Sequence, residues 1–254
     1  MPWFRSLAPA LVALALCGTP PASAQSFSDS QRGDIEAIVR NYLIGHPEVL
    51  EEAMAELSKR QAATDNEKHE ANVAKNAEAI FNSPRGVTVG NKDGDVTFVE
   101  FFDYNCGYCK RAMADMLDLL KSDSRLKVVL KEFPVLGPGS VEAAQVAVAA
   151  RMQDPAGKKY LDFHQKLLGG RGQADKAHAM AAAKEAGFDM AKLEKDISSP
   201  EVRATLEENF KLAEDMGMNG TPSYVIGKQV VIGAVGLDSL KEKIGVARCG
   251  KATC

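Results

Sequence analysis

Cys106 and Cys109 stand two residues apart, and their surroundings fix most of what this chain can fold into. Immediately upstream, Val96-Thr-Phe-Val-Glu-Phe-Phe is a nearly continuous run of strand formers, the pattern of a strand buried on both faces. Downstream, Gly107 to Leu120 places Met113, Met116, Leu117 and Leu120 at helical spacing, and Leu126 to Phe133 reads as a second strand. The cysteines therefore open the helix of a predicted β-α-β unit. Free N–H groups and a partial positive charge at a helix start stabilise a thiolate at Cys106. Cys109, one turn on, is placed to attack a mixed disulfide at Cys106 and release its partner. The intervening Gly107 and Tyr108 tune how far the thiolate is favoured. Haem attachment requires a His after the second cysteine, where this chain has Lys110. A zinc site would need two more ligands, and no His adjoins either cysteine pair. No metal and no cofactor are expected.

The pattern elsewhere is mixed α/β. Gly86 to Asn91 reads as a strand, with a turn at Lys92-Asp-Gly-Asp before the buried one. Residues 140–217 are helical, Ala-rich, and cut into four or five pieces at Pro155, Gly169-Gly170, Gly187 and Pro200. Ser223-Tyr-Val-Ile-Gly and Gln229-Val-Val-Ile-Gly form a closing hairpin, and Leu237 to Val246 a last helix. Before all of this, residues 28–81 form a helical region with one helix ending at Gly45 and another starting at Pro47. Its apolar residues, Ile35, Ile38, Val39, Tyr42 and Leu43 on the first helix and Val49, Leu50, Ala53, Met54 and Leu57 on the second, need a cover, either a second copy of the chain or the chain's own domain. From Lys59 to Asn72 the helix is polar all round, as in a solvent-bridging linker or a frayed segment folded against the main domain.

The first 24 residues have the form of an export signal. Arg5 is followed by an apolar run from Leu7 to Leu16 and by Ala22-Ser23-Ala24, with cleavage expected after Ala24. Cleavage would remove Cys17 and leave four of the five cysteines, in two close pairs, Cys106 with Cys109 and Cys249 with Cys254. The second pair lies in a tail and is expected to be a structural disulfide. A net charge of −3, with Lys and Arg scattered among acids, excludes a surface built for nucleic acid. The expected divisions are 1–24 signal, 25–83 helical region and linker, 84–247 main domain with a helical insertion at about 139–217, and 248–254 tail.

Phe101-Phe-Asp-Tyr-Asn-Cys-Gly-Tyr-Cys, with Gly220-Thr-Pro-Ser-Tyr-Val-Ile-Gly much later, resembles the DsbA-like periplasmic thiol-disulfide oxidoreductases. The resemblance covers about residues 86–247 and implies a thioredoxin fold with a helical insertion, extended here by N-terminal helices. It also implies a cis peptide bond before Pro222, beside the dithiol, with the Thr221 backbone pairing with a bound substrate strand. Glu100 stands where relatives carry a buried acid beneath the dithiol, able to take up the Cys109 proton, and Lys131 on the next strand is its expected companion. Asp103 and Lys110 flank the site and are expected to shift Cys106 in opposite directions.

Cys-Gly-Tyr-Cys with Thr221 before Pro222 is similar to the site of DsbC-type isomerases, and the N-terminal helices resemble those of ScsC-like proteins, some of which oligomerise. The expected activity is protein thiol-disulfide exchange in the periplasm, leaning to isomerase or reductase. Its substrates would be exported proteins with cysteines, and residues 28–81 the site of self-association. A membrane redox partner is also expected, a reducing donor for an isomerase and an oxidising one for an oxidase. The alternatives are a monomeric DsbA-type oxidase, a copper-binding protein holding Cu(I) on Cys106 and Cys109, and a holdase.

Overall fold

The computed structural model describes residues 27–254, so the expected export signal lies outside the described residues. The chain divides into two units, the first ending at Ser58 and the second running from Lys59 to Cys254.

In the first unit, α1 (Asp29–Gly45) begins at a capping box in which Ser28 and Gln31 satisfy each other's backbone N–H groups. Helix α2 (Glu48–Lys75) starts just past Pro47, whose missing N–H is no loss at a helix start. None of the α1 side chains is buried. Ile35, Ile38, Val39 and Tyr42 recur at i, i+3, i+4 and i+7, as do Leu50, Met54 and Leu57 on α2, and all seven are exposed.

In the second unit, α3 (Ala77–Phe81) precedes a five-stranded sheet of order β1-β3-β2-β4-β5. The strands are β1 (Val87–Gly90), β2 (Val96–Phe102), β3 (Leu126–Glu132), β4 (Ser223–Ile226) and β5 (Gln229–Ile232). β2 and β3 are parallel, joined through α4 (Gly107–Ser122), and the other pairings are antiparallel. Helices α5 (Pro138–Gln153), α6 (Lys158–Gly169), α7 (Lys176–Glu185), α8 (Met190–Asp196) and α9 (Pro200–Asp215) form the insertion, and α10 (Leu237–Cys249) closes the unit.

Strand alternation sorts the two cores. Phe98, Phe102, Val128 and Leu130 point to the larger core, with Met116, Leu119, Tyr160 and Phe163. Val99, Phe101 and Val129 point to the smaller one, which Val73, Ile80, Leu212 and Met216 complete. Two expectations change here. The second unit begins at Lys59, not at 84, because Val73 and Ile80 are core residues and Lys127 Nζ donates to the Phe81 carbonyl at 2.9 Å. The polar stretch from Lys59 thus leads into a packed end of α2, the second of the two readings its polarity allows. On α4, Leu119 is fully buried while Met113, Leu117 and Leu120 are only partly so.

Candidate active site

The backbone leaving β2 turns at Asp103–Asn105 and enters α4 with Cys106 as its N-cap. This puts the Cys106 sulfur where a capping oxygen would sit, accepting from the Cys109 backbone N–H at 3.3 Å. The Cys106 thiol also lies 3.1 Å from the Thr221 carbonyl, to which it donates when protonated. The Thr221–Pro222 peptide bond is cis, and it brings the loop before β4 against the dithiol. Both cysteines are free; Cys106 is 6% exposed and Cys109 0%, so an incoming disulfide meets Cys106 first.

The electrostatics divide the labour. Hydrogen bonding from the Cys109 thiol, against the opposing effect of burial, and further bonds from Thr221 and the Cys109 and Tyr108 backbone, bring Cys106 down to about 5. The same Cys109–Cys106 bond, with burial and the nearby Glu100, drives Cys109 far upward. Cys106 is therefore a thiolate at neutral pH and Cys109 a thiol, the arrangement thiol-disulfide exchange requires. Gly107 is open to solvent, and the exposed Tyr108 ring lies 4.3 Å from the Arg111 guanidinium carbon.

Glu100 and Lys131 are not brought together. Glu100 is 3% exposed on the dithiol face, and burial followed by the Cys106 and Asp115 charges raises it to about 8. In register, Glu100 aligns with Leu130, so Lys131 one residue on faces the opposite side of the sheet. There its Nζ lies 3.6 Å from Glu208 Oε1, and burial lowers its pKa. The aligned partner of Glu100 on β4 is Tyr224, two residues past Pro222, whose phenol burial and the Glu100 charge push upward. Tyr224 lay within the quoted proline motif, but nothing in strand alternation alone marks it as facing an acid.

Asp103 and Lys110 do not act on Cys106 as expected. The buried Asp103 carboxylate accepts from the backbone N–H groups of Asn105, Val135 and Leu136, at 2.8, 2.8 and 2.9 Å, and from Ser140 Oγ at 2.8 Å. It fastens the loop after β3 to the turn before Cys106. Removing it leaves four donors without their acceptor, so Asp103→Ala should lower stability by about 3 kcal/mol, read from denaturant midpoints at unchanged slope. A loss below about 1 kcal/mol would show the loop held by something else. Lys110 Nζ instead donates to the Gly169 and Gly170 carbonyls at 3.0 and 2.6 Å. Cys249 and Cys254 are bonded to each other, and Cys249 is the last residue of α10, not part of a tail beyond it. Of the histidines, His164 is buried beside Tyr104 and Tyr160 and burial lowers it to about 3, so it is neutral. Among the described residues no three His, Cys, Asp or Glu side chains gather as a metal site.

The DSBA-like thioredoxin domain family matches residues 97–245, and the N-terminal domain of copper resistance protein ScsC matches residues 31–64. A thioredoxin-like oxidoreductase from Silicibacter pomeroyi is 42% identical, covering 67% of this chain and 96% of that one, with a TM-score of 0.64. ScsC from Proteus mirabilis, in a transitional conformation, is 30% identical over 88% of this chain and 97% of its own, with a TM-score of 0.64. Disulfide bond formation protein D of Bacillus subtilis is 26% identical, over 64% of this chain and 77% of its own. Two Na(+)/H(+) antiporters, from Salinispora arenicola and Herminiimonas arsenicoxydans, also match, at 23% and 25% identity over 63% and 65% of this chain. The chain spans about a quarter of their length, 24% and 26%. The family match spans more than half of the chain and takes in both the dithiol and the cis proline, so this chain belongs to the DSBA-like thioredoxin domain family, close to ScsC.

Proposed function

We propose that the chain is a periplasmic disulfide isomerase or reductase that self-associates through its first unit. The observation that carries this reading is the row of exposed apolar side chains on α1 and the start of α2, in the segment matched by the ScsC N-terminal domain. Apolar faces of this kind are stable in water only when covered, and a second copy supplies a matching face. Several dithiols on one assembly hold a misfolded substrate at high effective concentration, which favours repeated exchange over a single oxidation. Substrates are then exported proteins bearing cysteines, and a membrane electron donor keeps the dithiol reduced. The A-x-A pattern at residues 22–24 supports export, with Cys106 attacking substrate, Cys109 resolving, and Thr221 lining the strand-binding edge.

The test compares the chain from Gln25 with one starting at Lys59, which keeps both cores, in reactivating scrambled RNase, alongside solution masses. An oligomer that restores RNase activity, and a monomeric short form slower by about tenfold or more, is the expected result. Two monomers that oxidise reduced RNase and cannot unscramble it would replace isomerase with oxidase.

A further inference from the structure

Beside Cys106, on the insertion side, lies a cleft of about 370 Å³ that the exchange chemistry described above does not use. Its size falls among small-ligand clefts, about 300 to 1,000 Å³. One wall is the turn carrying Cys106 and the first turn of α4; the other is the end of α6, the loop 170–174 and α7. The walls are pinned to each other. Asn105 Nδ2 donates to the Ala174 carbonyl at 2.8 Å, its Oδ1 accepts from the Ala174 N–H at 2.7 Å, and Lys110 Nζ holds Gly169 and Gly170. These bonds fix the spacing of the two walls.

Its lining is apolar below, at Leu167 and Ala182, and cationic at the rim, where Lys110, Lys166 and Arg171 face a single acid, Glu185. Among the described residues Lys110 meets carbonyls and no carboxylate, so its charge is not neutralised there. Lys166 shares Asp162 at 3.3 Å in an exposed pair of little strength, and among the described residues no ion pair engages Arg171. His178, also on the wall, is held by Asp175 at 2.8 Å. A concave site with one dominant sign of charge focuses its field and raises the local concentration of the opposite charge. The sulfur at its edge adds a reactive terminus to that field.

We infer that this cleft is a subsite for low-molecular-weight disulfides bearing carboxylates, holding their anionic arms at Lys110, Lys166 and Arg171 while a sulfur is presented to Cys106. The inference rests on Cys106 being the reacting sulfur. In the first step the Cys106 thiolate attacks one sulfur of R–S–S–R; that S–S bond breaks, a Cys106–S–R bond forms, and R–S⁻ leaves. In the second, Cys109 gives up its proton and attacks the Cys106 sulfur; the Cys106–Cys109 bond forms and the second R–S⁻ leaves, one of the two departing thiolates taking that proton. The dithiol loses two electrons and the small disulfide gains them. The reverse direction loads a reduced chain from a small thiol.

The experiment measures second-order rates of oxidation of the reduced chain by oxidised glutathione (anionic), 2-hydroxyethyl disulfide (neutral) and cystamine (cationic). The expected order is anionic, neutral, cationic, with the first about tenfold faster than the second, a ratio that shrinks with added salt. In a Lys166→Glu, Arg171→Glu double variant the ratio falls to within about twofold, whereas Lys243→Glu, on α10 outside the cleft, leaves it near tenfold. A double variant that keeps the wild-type ratio, or a wild type without the charge order, overturns the subsite while leaving the dithiol active. A loss larger for a peptide disulfide flanked by glutamates than for glutathione overturns it in favour of acidic protein segments. If none of the three disulfides oxidises the wild type, the exchange reading fails, and the subsite with it.

Discussion

A Cys109→Ser variant is expected to stop after half a turnover and accumulate a mixed disulfide with its substrate, with steady-state activity lower by about a thousandfold or more. The geometry makes the two sulfurs unequal. Cys106 is the reachable one and Cys109 is fully buried one helical turn deeper, so attack on an outside disulfide leaves the partner bonded to Cys106 alone. Release then depends on a sulfur within the same turn of α4, since water does not cleave a disulfide and Cys109 is the other free thiol among the described residues. Serine keeps the shape and supplies no competent nucleophile for sulfur. Mass measurement after a single exposure to a substrate disulfide should show one adduct per chain, stable until a small thiol is added. The Cys106→Ser chain should show none under the same conditions. Adducts on Cys106→Ser would place the attacking sulfur at Cys109 and reverse the assignment. Cys109→Ala, which has no side-chain donor, removes the hydrogen bond that does most to depress Cys106, so its trapping rate at pH 5 to 6 should fall below that of Cys109→Ser as the remaining sulfur becomes more protonated.

Much of this site was legible in the order of residues, because thiol chemistry constrains sequence tightly. Cys106 and Cys109 needed only a buried strand before them and a helix after, and both are short-range patterns. The proline motif was readable through the family resemblance, which implied the backbone roles of Thr221 and Pro222. What could not be read was parity across the sheet. Lys131 lies a plausible distance along the chain from Glu100, but the β2–β3 register pairs Glu100 with Leu130, and a one-residue offset sends Lys131 to the other core. Register comes from long-range pairing, and a local window does not contain it. The same limit hid Tyr224 opposite Glu100 and Asp103 clamping the loop after β3, both contacts across more than thirty residues. The boundary at Lys59 was missed for a related reason. Val73 and Ile80 look like sparse apolar residues in a polar stretch until the smaller core is in view.

Glu100 and Cys106 should be visible together in how the stability of the reduced chain depends on pH. Cys106 falls from an ordinary 9.0 to about 5 on folding, so the native state sheds its proton earlier than the unfolded chain. Its contribution is fully present above pH 9 and is lost as pH falls through about 5, and stability from this group rises with pH between those limits by about 1.4 kcal/mol per unit. Glu100 moves the other way, from 4.5 to about 8. Its contribution is fully present below pH 4.5 and is lost as pH rises through 8, with the opposite slope of similar size. Between pH 5 and 8 the two slopes oppose each other and nearly cancel. Glu100→Gln removes one of them, because the amide fills the same space and does not titrate. Relative to wild type, the reduced variant should therefore gain stability steadily from pH 5 to 8, by about 4 kcal/mol over the interval, in urea unfolding at each pH. Taking the difference between variant and wild type cancels the titrations of the surface acids and histidines, which the two chains share. Oxidation supplies the complementary test. A Cys106–Cys109 disulfide has no thiolate, so oxidised wild type should lose stability with rising pH while oxidised Glu100→Gln should not. If the variant and wild-type profiles of the reduced chain run parallel from pH 5 to 8, Glu100 is already ionised throughout that window, and burial does not hold it protonated beneath the dithiol.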